Sequence, residues 1–87
     1  MKQEPEFFGE EVELSLVYIA KRLNEAITVE EVLNGAGLDY LVEPDRYGGG
    51  LIFRTERIGA FFYVVPEKED EVRAVLRGRG FKPYSAS

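Results

Sequence analysis

Val72-Arg73-Ala74-Val75-Leu76-Arg77-Gly78-Arg79-Gly80-Phe81 repeats an earlier stretch, Val29-Glu30-Glu31-Val32-Leu33-Asn34-Gly35-Ala36-Gly37-Leu38, at an offset of 43 residues without a gap. Two valines, a leucine and both glycines coincide, and Leu38 answers Phe81. In each copy the apolar residues at i, i+3 and i+4 make one helical stripe. The first glycine then offers the left-handed conformation that ends a helix cheaply, and the second opens the next strand. Each copy follows an apolar run, at 14–20 and 60–65. The chain therefore reads as a doubled strand–helix–strand unit.

Eighty-seven residues make one domain. With 45% hydrophobic and 13% aromatic residues the chain can build a core, so disorder is not expected. No apolar run approaches the ~20 residues of a membrane span. The start, Met1-Lys2-Gln3-Glu4-Pro5-Glu6, lacks the basic-then-apolar pattern of a signal peptide. Cysteine and histidine are both absent. That removes disulfides, zinc sites of the ordinary type and nucleophile–histidine relays. No catalytic residue, metal or cofactor is expected. The missing cysteines fit a cytoplasmic location, which is the expectation, although a chain without cysteine is also compatible with export. A net charge of −5 and a pI of 4.7 argue against nucleic acid or an anionic membrane as a partner.

Through Glu13 the chain carries five glutamates, with Lys2 the only cation. Residues 1–13 read as an acidic arm, 14–84 as the domain and 85–87 as a tail. The first strand is expected over 14–20. The helix after it starts either at Asn24 as N-cap or at the Thr28-Val29-Glu30-Glu31 capping box. It turns Val29, Val32, Leu33 and Ala36 inward. A second strand is expected over 38–43 and turns over 44–50. Residues 51–55 read as a short strand or a loop. Residues 60–65 carry the strongest strand signal. Pro66 suits a helix start, Glu69 and Arg73 form an i,i+4 pair, and a last strand covers 81–84. The resulting class is α+β: a ferredoxin-like βαββαβ order with two helices on one face of a four- or five-stranded antiparallel sheet.

One run of residues also carries a family resemblance: Leu16-Val17-Tyr18-Ile19-Ala20, Asn24-Glu25-Ala26, Val32-Leu33, Gly37-Leu38, and Phe62-Tyr63-Val64-Val65-Pro66-Glu67. Over residues 14–82 the chain resembles a small bacterial family of unknown function labelled prokaryotic signal-transducing proteins, similar in fold to the PII nitrogen-regulatory proteins. The resemblance implies a ferredoxin-like fold and a regulatory role. No nucleotide-binding residue of the PII proteins maps onto this chain, and only a moderate midpoint segment stands where their long effector loop would lie.

Two features are candidates for function. By strict alternation Val17, Ile19, Phe62 and Val64 face the helices. Leu16, Tyr18, Phe61 and Tyr63 then line the other face, with Tyr40 a candidate fifth. Such an aromatic patch suits a homo-oligomer interface, most simply a dimer, unless Phe7 and Phe8 fold back over it. The second feature is Arg46-Tyr47-Gly48-Gly49-Gly50 with Arg54 and Arg57, a glycine nest among arginines that could hold a small anionic ligand. It lacks the Lys-Ser/Thr pair of a P-loop. The bland alternative is a hairpin loop with solvated arginines. Arg57-Ile58-Gly59-Ala60-Phe61-Phe62-Tyr63 departs from the spacing of an RNA-binding strand. The carboxylates read as solvated charges, and Lys82 and Tyr84 as sheet-edge residues. The expected function is a non-enzymatic, self-associating regulatory or ligand-sensing module. The alternative is a protein-interaction module without a small-molecule ligand.

Overall fold

The computed structural model describes residues 1–47 and 57–85. The elements are α1 (Pro5–Phe8), β1 (Ser15–Ala20), α2 (Leu23–Gly35), β2 (Leu41–Tyr47), β3 (Arg57–Val64) and α3 (Glu69–Gly78), the last entered through a 3-10 turn at Pro66–Lys68. The sheet has the order β1-β3-β2, with β3 antiparallel to both neighbours. The class is α+β, as the sequence implies. The expected four- or five-stranded ferredoxin-like sheet is corrected: the described residues form three strands.

The repeat acts at the helix ends, and its two glycines exchange the roles expected of them. Gly35 and Gly78 close α2 and α3 as their last helical residues. The left-handed backbone falls on the second glycines, Gly37 at φ 69° and Gly80 at φ 87°. The amide of Leu38 donates to the Leu33 carbonyl at 3.0 Å and that of Gly37 to Asn34 at 3.0 Å. Phe81 donates to Leu76 at 2.9 Å and Gly80 to Arg77 at 3.0 Å. Both are Schellman caps, which satisfy otherwise orphaned carbonyls and pair an apolar residue after the helix with one in its last turn. Leu33, Leu38 and Leu76 are buried accordingly, and Phe81 packs against the core.

Helix α2 starts at Leu23 with Arg22 as an N-cap that makes no side-chain cap. This precedes both expected starts. The Glu25 carboxylate reaches back to the Lys21 amide at 3.0 Å, and the Thr28 hydroxyl bonds the Asn24 carbonyl at 2.9 Å instead of capping. The early start buries Ala26 with Val29, Val32 and Leu33 and leaves Ala36 exposed past the helix end.

The core lies between both helices and one sheet face, around Tyr40, Phe62, Val64, Val72 and Leu76. A bulge between Leu16 and Tyr18 breaks the alternation of β1. Val17 and Tyr18 therefore both join the core, with Tyr18 edge-on to Phe62 and Phe81. Tyr40 is fully buried, and its hydroxyl lies 3.2 Å from both Glu30 Oε1 and Asn34 Oδ1. Burial, then the Glu30 carboxylate, push its phenol up to about 12.

Residues 1–3 lie beside the start of β2. The Tyr40 amide donates to the Met1 carbonyl at 3.2 Å, and the Gln3 amide to the Tyr40 carbonyl at 2.8 Å. Backbone groups alternate along a strand, so those of Val42, Pro44 and Arg46 also point to this outer edge. Pro44 thus lacks only a donor that the ladder with β3 does not use. That is why β2 runs through it to Tyr47, where turns were expected.

The expected last strand does not form. The Tyr84 amide donates to the Val17 carbonyl at 2.7 Å, but the Tyr84 carbonyl goes to the Arg73 guanidinium. That guanidinium also reaches the Leu16 carbonyl at 3.4 Å and Glu69 Oε2 at 3.1 Å. The bulge and this arginine occupy the places where a ladder would continue. Hydrogen bonds from Ser15 and Arg73 hold the Glu69 carboxyl below its ordinary range.

Candidate functional site

The face of the sheet away from the helices is read directly from the register. Leu16, Tyr63 and Leu41 form one row across the three strands, and Ile19, Phe61 and Glu43 the next. Gly59 and Asp45 come after them, then Arg57 and Tyr47. Phe61 and Leu41 are each only 8% exposed, yet neither belongs to the helix-side core. Leu16, Ile19 and Tyr63 are half-buried. Burial raises the Tyr63 phenol above its ordinary value, and the carboxylates of Asp45 and Glu43 raise it further.

Gly59 is a packing requirement at one end of this face. A Cβ there would meet the Ala20 carbonyl oxygen at 2.9 Å and Tyr47 ring carbons at 3.0 and 3.1 Å. The Tyr47 ring therefore lies across β3 towards β1. Lys21 Nζ stands 5.4 Å from its centroid, a cation–π distance. One edge of the apolar rows thus carries a cation at Lys21, and the other carries Glu43 and Asp45.

Of the residues expected at an oligomer interface, Leu16, Phe61 and Tyr63 share this face. Tyr18 and the candidate Tyr40 are in the core instead, at 9% and 0% exposure. Ile19 and Leu41 replace them. Sequence alternation missed both: the bulge shifts the parity of β1, and taking Tyr40 as a candidate for this face puts its neighbour Leu41 on the other. Phe7 and Phe8 do not cover the face. Their rings, 5.1 Å apart, sit by Gly37, Leu38 and Val65 at the far end of the helix layer.

Of the expected anion site, Gly48, Gly49, Gly50 and Arg54 lie outside the described residues, as do residues 51–55. The described members diverge. Arg46 pairs with Ile58 and follows the helix-side parity, whereas Arg57 pairs with Tyr47 on the open face. Lys82 and Tyr84 border a cleft with Tyr18, Lys21 and Tyr47. The carboxylate in that cleft, Glu25, accepts a hydrogen bond from the Lys21 amide at 3.0 Å. Burial and then Glu25 raise the Tyr18 phenol.

Among the described residues no cluster of three or more acidic side chains is placed to hold a metal ion, and no helix is long and apolar enough to cross a membrane. No protein-family model, no curated protein and no solved structure matches this chain.

Proposed function

We propose that this protein is a small non-enzymatic regulatory module that works as a homodimer through its open sheet face. One observation carries the reading: the face is complementary to itself. A two-fold axis along β3 lays β1 of one copy over β2 of the second. It opposes the half-buried Leu16, Ile19 and Tyr63 of the two copies. The same operation brings Lys21 of each copy to the edge that carries Asp45 and Glu43 of the other. Closed two-fold pairing is the commonest way for a chain to cover such a patch, and facing sheets pack at about 10 Å. The regulatory part of the reading rests on the sequence resemblance over residues 14–82 to prokaryotic signal-transducing proteins, and not on the fold that the resemblance implies.

Sedimentation equilibrium tests the pairing. Lys21→Glu and Asp45→Lys should each shift the protein towards monomer, because each opposes like charges twice per dimer. The double variant should restore the dimer. A wild-type monomer at ~100 µM, where micromolar pairing would already be complete, would rule the proposal out, and so would a double variant no better than the singles.

A further inference from the structure

On the helix side of the sheet, the packing changes character from one end to the other. Tyr40, Phe62, Val29 and Leu33 fill one end. At the other end the facing positions are small: Ala20 pairs with Ala60, Ala60 with Pro44, and the helix above supplies Ala26. A cleft of about 380 Å³ remains there, between the first turn of α2 and the sheet. Its volume lies within the range of small-molecule sites.

Two observations say what would enter it. Leu23 and Ile58, at 78% and 70% exposure, are the two most exposed large apolar side chains among the described residues, and both stand at this cleft. Lys2, Lys21 and Arg22 also line it, and no carboxylate among the described residues does. Neither Lys2 nor Arg22 forms an ion pair or side-chain hydrogen bond with another described residue. In a chain of net charge −5, two cations, Lys2 and Arg22, at an apolar cleft are a local inversion of sign; the ammonium of Lys21 is over the Tyr47 ring.

We infer that this cleft binds a small amphiphilic anion, an aliphatic monocarboxylate. Its tail lies on Ala20, Ala26, Val42 and Ala60 and under Leu23 and Ile58, and its carboxylate meets Lys2 and Arg22. The tail is covered on both sides, by helix and by sheet. The head group gains charge-assisted hydrogen bonds that a neutral head cannot make. The site is on the opposite side of the sheet from the association face and does not depend on it.

Isothermal titration of the full chain with sodium octanoate below its micellar range tests this, with 1-octanol as the neutral probe. Octanoate should bind saturably at one per chain and displace the methyl resonances of Leu23 and Ile58. From hexanoate to octanoate each methylene should strengthen binding up to about fourfold. Octanol should bind at least about tenfold more weakly. The Lys2→Glu/Arg22→Glu variant should lose about tenfold for octanoate and nothing for octanol. Both substitutions are on exposed side chains, and Lys21 is left in place so that the dimer test stays separate. Equal binding of octanol and octanoate, or an unaffected charge variant, would overturn the inference. It would also fall if Ile58→Asp turned a dimer into a monomer, since the cleft would then be covered by a second copy.

Discussion

Leu38 and Phe81 occupy the same place in two copies of one motif, yet the chain beyond them behaves differently. After Leu38 it enters a seven-residue strand. After Phe81 it makes one strand-like hydrogen bond, from Tyr84 to Val17, and no strand. The two Schellman bonds match at each helix end, down to the left-handed glycine, but the residue before it differs: Ala36 donates to Val32, four residues back, and Arg79 to Leu76, three back. Local sequence therefore decides how each helix stops. The path beyond each helix is decided by the partners the chain meets. Leu41 arrives at a whole free edge of β3, whereas residues 81–85 arrive at β1 where its bulge lies. The same offset sets Tyr40 against Pro83 and Glu30 against Arg73. Glu30 holds the next segment by a side chain, the Tyr40 hydroxyl, whereas Arg73 holds it by the backbone, at the Tyr84 carbonyl.

The largest test of this comparison concerns the leucines that anchor the two caps. Leu33 and Leu76 are both fully buried, so Leu33→Ala and Leu76→Ala should each cost about 2–5 kcal/mol. Leu33 should cost more, because its cap partner Leu38 is 4% exposed while Phe81 is only half-buried. Urea unfolding would measure both. A larger loss at Leu76 would mean that the second copy, not the first, is the better anchored.

Tyr40 supplies the next effect, and Pro83 has no counterpart to it. The fold favours the neutral phenol, with its titration raised to about 12. Between an unfolded value of about 10 and that point, the unfolded chain has released a proton that the native state keeps. Stability is thus complete below about pH 10 and falls as pH rises through 12, by roughly 2–3 kcal/mol. Tyr18 and Tyr63 are raised too and add to the same slope. Melting curves of wild type and Tyr40→Phe over this range should differ chiefly in steepness. Parallel curves would show that the hydroxyl contact with Glu30 and Asn34 is not what ties β2 to α2.

Smaller again are the cap glycines. A Cβ at Gly37 or Gly80 meets nothing within 4 Å, so alanine there suffers only from the backbone. Each substitution should cost about 1–2 kcal/mol, and the two costs should agree. A gap wider than about 1 kcal/mol would break the equivalence of the two helix ends.

The repeat makes the α+β class and the place of both helix ends legible, because a Schellman cap is a local device written in a few adjacent residues, but it assigns the left-handed position to the wrong glycine of each pair. Alternation also places Phe61, Tyr63 and Leu16 correctly on the open face. The features it misses are effects of register. A single extra residue at the β1 bulge moves Tyr18 into the core and Ile19 out of it, and nothing in Leu16-Val17-Tyr18-Ile19 marks where the insertion falls. Pro44 misleads for a related reason. A proline signals a turn unless its missing donor faces an open edge, and only the pairing of Tyr40 with residues 1–3 shows that it does. Of the arginines of the expected anion site, the pairing of β2 with β3 puts Arg46 and Arg57 on opposite faces, while Arg54 lies outside the described residues.

The smallest prediction separates two accounts of the missing fourth strand. Pro83 is not the obstacle: Tyr84 directs its backbone to β1, so the neighbouring Pro83 directs its own to the outer edge, where no donor is needed. Arg73 remains. Either it substitutes for a ladder that the bulged strand cannot offer, or it blocks one that would otherwise form. Arg73→Met keeps the length of the side chain and removes both carbonyl contacts. On the first account the Tyr84 amide loses its protection from hydrogen exchange and the domain loses about 1 kcal/mol. On the second, the freed Tyr84 carbonyl accepts the Val17 amide, and that amide becomes newly protected with little change in stability. The bulge at Leu16–Tyr18 favours the first outcome, because a ladder cannot extend from a strand whose repeat is broken at the point of contact.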